Sequence, residues 1–288
     1  MPVQEPPGTP AAALPVPRSA AGRAGLAALL AAPRQSLIGL DFDGTLAPIV
    51  ADPARARALP GATAALRDIA ALAGTVAIIT GRPALEAVEF ACLESVPGVI
   101  VLGHYGRQSW RGGTLTAPPP PPGLAEARAE LPSLLASADA GQGMWIEDKG
   151  DAVAVHTRRA DDPQQALDRI SGPLAELAAR TGLAAEPGRY VLELRPPGSD
   201  KGGALKQLAA ERRPAATMFC GDDLGDRPAF QAVRELRDEG IPGLAVCSGS
   251  AEVPALAQEA DLLVDGPEGV VALLVSLTAA MSAAAGVS

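Results

Sequence analysis

The sequence predicts an α/β fold, a doubly wound parallel sheet with an α+β domain inserted into it. Short apolar runs bounded by Gly, Pro or Asp alternate with helical patterns along most of the chain, which is typical of parallel strands with crossover helices. The alternation stops over one internal segment, which predicts the insertion. With 48% hydrophobic and 20% charged residues among 288, the chain can form a packed core, so a fully disordered protein is excluded.

The expected strands of the sheet are runs too short for helices, and their continuous apolar character is typical of strands buried on both faces. The six runs are residues 35–40, 75–80, 98–103, 217–220, 244–247 and 261–264. Helical patterns lie between them, at residues 61–74, 84–95 and 201–213.

The insertion begins near a run of prolines at residues 118–122 and ends at the Arg-Pro-Pro-Gly sequence of residues 195–198. Residues 144–159 predict a hairpin of alternating strands, and a helix (163–180) and another strand (188–196) follow. Its proline-rich flanks are suited to semi-rigid hinges, so this domain could be a mobile lid. We expect three parts: a flexible N-terminal tail (1–33), a core (34–115 and 198–288) and a cap (116–197).

The two ends of the chain give no membrane signal. The first 18 residues are too rich in proline for the apolar region of a signal peptide, and residues 19–32 could form a short helix. The C-terminal stretch 269–288 is apolar, but it contains Ser276, Thr278 and Ser282 and lacks basic anchors. We interpret it as a buried terminal helix rather than a membrane span.

Charge and cysteine content restrict the partners and the compartment. A net charge of −9 without any Lys/Arg run would repel a nucleic-acid backbone. The three cysteines, Cys92, Cys220 and Cys247, cannot all pair and share no metal-ligand spacing. They indicate a reduced, cytoplasmic protein. We expect a monomer that binds neither nucleic acid nor a membrane.

Polar residues collect at the ends of three predicted strands, where ligands bind in open α/β sheets. Asp41 and Asp43 follow the first strand, Thr80-Gly81-Arg82 ends the second, and Asp222 with its neighbours follows the run at 217–220. Two carboxylates this close repel each other unless a cation lies between them or one is protonated. Mg²⁺ prefers such oxygen ligands. The alternative is that these aspartates only cap helices or form turns. Three polar strand ends in this order argue against that alternative.

The motif DFDGTL at residues 41–46 resembles the first motif of the haloacid-dehalogenase superfamily of phosphotransferases. Thr80 matches its second motif, Lys201 its third, and Gly221-Asp222-Asp223 with Asp226 its fourth. Further matches narrow the resemblance to the trehalose-6-phosphate phosphatase family. They are DFDGTLAPI, TGRP, WIEDKGDAVAVHTR, ELRPP, the Asp-Lys-Gly of residues 200–202, and GDDLGD.

The resemblance implies a hydrolase that removes phosphate from a sugar phosphate, trehalose 6-phosphate, in trehalose biosynthesis. Asp41 would be the nucleophile that forms an aspartyl phosphate, and Asp43 the general acid and base. Thr80 would hydrogen-bond a phosphoryl oxygen, and Lys201 would neutralise its charge. The implied metal cofactor is Mg²⁺, on the Asp41 carboxylate, the Asp43 backbone carbonyl and Asp222.

The same resemblance implies supporting and substrate-binding residues. Asp223 and Asp226 would orient Lys201 or metal-bound water. Substrate contacts are expected from residues of two motif loops and from three cap residues that grip the sugar. They are Gly44, Thr45, Gly81, Arg82, Glu147, Lys149 and Glu193. For Glu147 and Lys149 the alternative is a surface ion pair, which contributes little.

The chain departs from the family pattern where Asn-His-Gly-x-Glu is common, because residues 104–108 read His-Tyr-Gly-Arg-Gln. In the fourth motif Gly225 and Arg227 replace the common Thr and Glu. His156 matches a family histidine, but we interpret it as a core residue and leave it out of the site. Two alternatives stay open: a phosphatase acting on another sugar phosphate (of sucrose or mannosylglycerate), and a non-catalytic phosphosugar sensor.

Overall fold

The computed structural model describes residues 14–50, 52–137, 143–249, 254–284 and 286. Its strands are β1 (Ser36–Leu40), β2 (Thr75–Ile79), β3 (Ile100–Gly103), β4 (Gln108–Arg111), β5 (Thr114–Thr116), β6 (Trp145–Asp148), β7 (Val153–His156), β8 (Ala184–Gly188), β9 (Val191–Arg195), β10 (Ala216–Gly221), β11 (Gly243–Gly249) and β12 (Leu262–Asp265). Its α-helices are α1 (Ala20–Ala31), α2 (Ala62–Ala70), α3 (Ala84–Phe90), α4 (Leu124–Ser137), α5 (Pro163–Thr181), α6 (Lys201–Arg212), α7 (Arg227–Asp238), α8 (Pro254–Glu259) and α9 (Gly266–Ala284).

The larger sheet has eight strands in the order β12-β11-β10-β1-β2-β3-β4-β5. The strands from β12 to β3 are parallel, and β4 and β5 add an antiparallel edge. The six parallel strands fall on the six predicted apolar runs, so the predicted α/β fold with a large parallel sheet is confirmed. The antiparallel edge was not predicted, because its residues (108–116) are polar and glycine-rich and lack an apolar run.

Helices cover both faces of this sheet, as its continuous apolar strands require. Ile38 and Leu40 of β1 point into the core formed with α1, α2, α3 and α9, and Leu37 points into the core formed with α6, α7 and α8. Because alternate residues of a strand face opposite sides, both faces of β1 are fully buried. The sheet is therefore a rigid platform for the loops at its carboxyl edge.

The short helix expected over residues 19–32 is present as α1, so the flexible tail expected up to residue 33 does not extend over this helix. Ser19 caps α1, and Leu29 of this helix is fully buried in the main core. Gly25 lies so close to β11 that an added Cβ would come within 1.9 Å of the Gly243 carbonyl oxygen. The small residues of this segment allow this close packing of α1 on the strand edge. Residues 1–13 of the expected tail lie outside the described residues.

The C-terminal helix α9 is long and apolar enough to cross a membrane by length and composition. A stripe that includes Val270, Leu274 and Leu277 is fully buried in the main core together with residues of α2. One face of this helix therefore packs in the core, while Val275 on another face is 46% exposed.

The insert (residues 124–195) forms a second, antiparallel sheet of order β6-β7-β9-β8. The helices α4 and α5 pack on one face of it around a separate apolar core that includes Leu131, Val155 and Leu174. The β6–β7 hairpin and the helix α5 match the elements expected here. The sequence pattern does not predict α4, which contains Pro132, or the edge strand β8, which contains Pro187, because proline is unfavourable inside helices and strands.

Candidate active site

The carboxyl ends of three adjacent strands bring the predicted acidic residues together. In the order β10-β1-β2, Asp222 follows the first strand, Asp41 the second and Thr80 the third. The backbone N–H of Asp41 donates to the carbonyl oxygen of Cys220 at 2.9 Å, which extends the pairing of β1 with β10. Asp41, Thr80 and Asp222 are all buried, at 4%, 1% and 4% exposure.

Lys201 occupies the first turn of α6 and reaches this edge of the sheet. The side chain of Asp200 caps the helix and accepts from the backbone N–H of Gly203 at 2.7 Å. The Nζ atom of Lys201 lies 2.8 Å from Oδ1 of Asp41 and 2.7 Å from Oδ1 of Asp226. Burial alone would lower the pKa of Lys201, but the Asp226 and Asp41 carboxylates outweigh it and raise that pKa well above its usual value. The lysine is therefore a fixed positive charge.

Carboxylate oxygens of Asp41, Asp222 and Asp226 lie within 4.8 Å of one another. Burial, together with repulsion from Asp41 and Asp226, raises the pKa of Asp222 to about 10. Burial likewise raises the pKa of Asp41 well above its usual range, although Lys201 opposes this. One lysine cannot neutralise three buried carboxylates, so the cluster favours an added cation.

The donors in this cluster fit a hard divalent cation such as Mg²⁺, because all are carboxylate oxygens. Asp226 is the member already engaged, since Oδ1 binds Lys201 and Oδ2 accepts from the backbone N–H of Asp222 and Asp223 at 2.9 and 3.2 Å. Asp41 contacts Lys201 through Oδ1, so Asp41 and Asp222 are the two members with an oxygen left for such an ion. Asp223 is exposed and caps the following turn, where its Oδ1 accepts from the Gly225 N–H at 2.8 Å.

The loop after β1 has to carry glycine at position 44. Gly44 has a φ of +71°, and an added Cβ would lie 2.0 Å from Oδ2 of Asp222. Only glycine therefore lets the loop approach this carboxylate. The next residue, Thr45, is fully buried, and its hydroxyl has no hydrogen-bond partner among the described residues. That hydroxyl is available to a bound ligand.

Asp43 is turned away from the acidic cluster and is gripped by Arg82. The Nε and Nη2 atoms of Arg82 donate to the two carboxylate oxygens of Asp43 at 2.6 and 2.7 Å. Arg82 was expected to bind substrate, but in this structure its guanidinium is occupied by Asp43. The carboxylate of Asp43 is not one of the clustered groups, so its expected metal contact depends on its backbone carbonyl alone. The hydroxyl of Thr80 accepts from the Arg82 backbone N–H at 3.1 Å.

Three predicted residues of the insert form one polar cluster. The Nζ atom of Lys149 lies 2.6 Å from Oε2 of Glu193 and 4.0 Å from Oε2 of Glu147. Burial would lower the pKa of Lys149, but Glu193 and its neighbours outweigh it and raise that pKa. Glu193 is only 6% exposed, so this cluster is not a surface ion pair.

His156 belongs to the same cluster, although sequence analysis left it out of the site. Its Nε2 atom lies 2.7 Å from Oε2 of Glu147, and its ring stacks on Trp145 with centroids 4.5 Å apart. The register of the predicted β6–β7 hairpin could have indicated that His156 lies in this cluster. It pairs Trp145 with His156, and Trp145 and Glu147, two residues apart, share one face of β6.

The insert and the core meet beside Gly81. An added Cβ on Gly81 would lie 2.7 Å from the hydroxyl oxygen of Tyr105. The Tyr105 ring in turn lies 3.9 Å from the guanidinium carbon of Arg195 in the insert. Farther along the junction, Nε2 of Gln108 donates to Oδ2 of Asp151 at 3.5 Å. The insert thus contacts the loop next to the acidic cluster.

Comparisons with known proteins agree with this arrangement. The family model for trehalose-phosphatase matches residues 39–263. The trehalose-phosphate phosphatase of Mycobacterium avium is 34% identical over 229 residues, 73% of this chain and 54% of that protein. That of Mycobacterium marinum is 35% identical over 224 residues, 71% of this chain and 53% of that protein. The chain spans about half the length of these relatives.

Solved structures share the fold. The Aspergillus fumigatus trehalose-6-phosphate phosphatase has a TM-score of 0.60 and 26% identity, covering 88% of this chain and 97% of that one. The C-terminal domain of the Candida albicans trehalose synthase regulatory protein has a TM-score of 0.62 but 14% identity, covering 84% and 93%, so it shows the fold alone. The family model covers most of the chain and includes every residue of the acidic edge. The chain therefore belongs to the trehalose-phosphatase family.

Proposed function

We propose that this protein is a Mg²⁺-dependent phosphatase that hydrolyses trehalose 6-phosphate to trehalose and phosphate. The observation that carries the proposal is the position of Lys201, 2.8 Å from Asp41 and 2.7 Å from Asp226 at the sheet edge. A buried carboxylate beside a fixed cation can act as a nucleophile toward phosphorus, because the cation attracts the phosphoryl group. The family membership supports the choice of substrate.

In the first step, a carboxylate oxygen of Asp41 attacks phosphorus while the bond from phosphorus to the sugar oxygen breaks. The product on the protein is an aspartyl phosphate. Lys201 and the Thr80 hydroxyl lie beside Asp41 at the same edge and would bind the phosphoryl oxygens. These contacts hold the reacting groups in line and stabilise the charge of the transition state.

Asp43 is the proposed proton carrier. It donates a proton to the departing sugar oxygen, and in the second step it takes a proton from the water that attacks the aspartyl phosphate. Both of its carboxylate oxygens are held by Arg82 in this structure. At least one of these hydrogen bonds has to open before Asp43 can carry the proton.

The residues that would hold Mg²⁺ are Asp41, Asp222 and the backbone carbonyl of Asp43. When bound there, the ion would offset the repulsion between the clustered carboxylates and the negative phosphoryl group. Asp226 keeps Lys201 in place through its 2.7 Å contact.

The insert is proposed to select the sugar. Glu147, Lys149 and Glu193 offer acceptors and a donor for sugar hydroxyls, and a wrong sugar would leave buried polar groups unpaired. The same chemistry could read another disaccharide phosphate, which stays the first alternative. A phosphosugar sensor is the second, favoured only by the fold shared with a regulatory protein. The complete set of acidic-edge residues favours the enzyme.

The test is phosphate release with Mg²⁺ from trehalose 6-phosphate, sucrose 6-phosphate, glucose 6-phosphate and a small aryl phosphate. The Asp41→Asn variant is the blank, because it is nearly isosteric and lacks the nucleophile. We expect strong preference for trehalose 6-phosphate. Equal, slow turnover of all four would leave a phosphatase of other specificity, and no turnover would favour the sensor.

We also propose that the protein acts as a cytoplasmic monomer. Free cysteines support the reducing compartment, since Cys220 and Cys247 are buried as thiols and Cys92 is free as well. Light scattering after size-exclusion chromatography tests the monomer, and a mass of twice 29.0 kDa would contradict it.

A further inference from the structure

A narrow crevice separates the loop after β3 from the insert. Its walls include His104, Tyr105 and Arg107 of the loop, and Asp151 and Arg195 of the insert. Neither Tyr105 nor Arg195 was among the predicted site residues. Two of its wall residues contact residues of the site already described: the Tyr105 hydroxyl lies beside Gly81, and Nη1 of Arg195 lies 3.9 Å from Oε1 of Glu193.

Unpaired polar atoms concentrate at this crevice. Seven buried side-chain polar atoms lack a hydrogen-bond partner within the part of the chain that the structure describes. Four of them lie in or beside the crevice: His104 Nε2, Arg107 Nε, Glu193 Oε1 and Arg195 Nε. Two of these atoms take part in ion pairs too long for a hydrogen bond, Arg107 Nε with Asp151 at 3.8 Å and Glu193 Oε1 with Arg195 at 3.9 Å. Because buried polar groups in native proteins are nearly always paired, such a concentration indicates a place where a polar ligand would supply the missing partners.

Tyr105 has a constrained conformation at this place. His104, Tyr105 and Gly106 have successive positive φ values of 47°, 58° and 96°. Left-handed backbone at two residues other than glycine is costly, and it concentrates where surrounding structure and function require it. The Arg195 guanidinium packs on the aromatic ring, 3.9 Å from its centroid.

The hydroxyl of Tyr105 lies between the two ends of the site. It is next to Gly81 at the phosphate end, and the charges of Glu193 and Lys149 act on it from the insert. Burial, with a contribution from Glu193, raises the pKa of Tyr105 to about 12, so the hydroxyl stays protonated and can donate. Tyr105 thus contacts Gly81 on the core side and Arg195 on the insert side, and Arg195 in turn lies 3.9 Å from Glu193.

We propose that Tyr105 is a specificity-determining residue whose hydroxyl hydrogen-bonds a sugar hydroxyl of the substrate, and that Arg195 is its positioning residue. The ligand group expected here is an uncharged polyhydroxylated ring. Both donors and acceptors lack hydrogen bonds at this place, and the charges of Arg107 and Arg195 are already balanced by Asp151 and Glu193. This inference rests on the proposed function only in taking the ligand to be a sugar phosphate.

The test compares Tyr105→Phe with Tyr190→Phe, because the chain has only these two tyrosines. Tyr190 is a close match: its φ is 57° and it also lies beside arginine side chains, but it precedes β9 at the far end of that strand from Arg195. The quantity measured is kcat/KM for trehalose 6-phosphate divided by kcat/KM for a small aryl phosphate. We expect Tyr105→Phe to lower this ratio about 10-fold or more, mainly through KM. Tyr190→Phe should leave it unchanged.

Arg195→Met keeps a long side chain but removes the planar cation over the ring. We expect a smaller fall in the same ratio, and no further fall when it is combined with Tyr105→Phe, because both variants act on one contact. An unchanged ratio in Tyr105→Phe, as expected if water alone fills the crevice, would overturn the proposal. An equal loss on both substrates would overturn it too.

The proposed function can fail separately. If the wild-type protein prefers another sugar phosphate, the same ratio is measured with that substrate, and the expectation for Tyr105 is unchanged. If no sugar phosphate is hydrolysed, calorimetric titration of trehalose 6-phosphate into wild type and Tyr105→Phe replaces kinetics. Weaker binding by the variant, about 10-fold in Kd, would support the inference. Equal Kd values, or no binding to the wild type, would overturn it.

Discussion

Arg82 holds both carboxylate oxygens of Asp43, with Nε 2.6 Å from Oδ2 and Nη2 2.7 Å from Oδ1. The guanidinium also packs on two aromatic rings, since its central carbon lies 5.5 and 5.3 Å from the ring centroids of Phe42 and Phe90. A planar, two-point contact of this kind sets the orientation of the carboxylate and not only its charge. Arg82 is therefore placed to position the proposed acid and base.

Arg82→Lys should lower kcat for trehalose 6-phosphate about 10-fold or more, because lysine keeps the charge but cannot make the two-point contact. Arg57→Lys is the matched control: Arg57 lies 4.0 Å from the centroid of the same Phe90 ring, but its guanidinium binds backbone carbonyls away from Asp43. Steady-state kinetics measure both. If Arg82→Lys raised only KM, Arg82 would instead be the substrate-binding residue that the sequence predicted.

Binding of Mg²⁺ should stabilise the folded protein measurably. An ion present at 100 times its Kd adds about 2.7 kcal/mol to the free energy of unfolding, which corresponds to a rise in Tm of roughly 5 °C for a chain of this size. We expect this rise in the wild type, its reversal by EDTA, and little rise in Asp222→Asn, which removes one proposed ligand. Thermal unfolding with and without Mg²⁺ is the measurement.

The control for that experiment is Asp265→Asn, an exposed aspartate at the end of β12 on the same sheet. It should keep the full response to Mg²⁺. A response in Asp222→Asn as large as in the wild type would remove Asp222 from the proposed metal ligands.

The sequence was sufficient to predict which residues meet at the carboxyl edge of the sheet, because that depends only on the order of the strands. Asp41, Thr80 and Asp222 each follow an apolar run, and parallel strands necessarily place such ends at one edge, so their proximity could be predicted. The Arg82–Asp43 pair and the Tyr105–Arg195 contact could not be predicted from the sequence, because the direction of a side chain depends on the packing around it. Helix α1 falls on the predicted residues 19–32, but the close packing of Gly25 on β11 could not be predicted from the Ala- and Gly-rich sequence.

His104 should make stability depend on pH below neutrality. Burial lowers the pKa of His104 from its usual 6.5; Asp151 and Glu193 oppose this shift, and Lys149 and Arg107 add to it. Between the lowered value and 6.5, the unfolded chain binds more protons than the folded one, so stability rises with pH through this window and is lost as pH falls. His104→Asn, which tolerates the positive φ, should show a smaller fall in Tm from pH 7.5 to 5.

His156→Asn is the control, because His104 and His156 are the only two histidines. It should keep the pH slope of the wild type. Identical slopes in the wild type and in His104→Asn would contradict the assignment to His104.

Asp261 joins three elements at the edge of the core, and its removal should destabilise the fold. Its carboxylate accepts from the Ser19 hydroxyl before α1 at 2.5 Å, from the Ala245 N–H of β11 at 2.8 Å, and from Arg237 of α7. Because Asp261 is only 5% exposed, Asp261→Ala removes the acceptor of the Ala245 N–H and the carboxylate partner of the partly buried Arg237, which keeps only its hydrogen bonds to the Gly243 carbonyl oxygen. The expected loss is about 3–5 kcal/mol in the free energy of unfolding, measured in urea.

The control is Asp238→Ala, at an exposed position at the end of α7, which should change the free energy of unfolding by less than about 0.5 kcal/mol. A loss below about 1 kcal/mol in Asp261→Ala would mean that α1 is held by its apolar contacts alone, with Leu29 rather than Ser19 as its anchor.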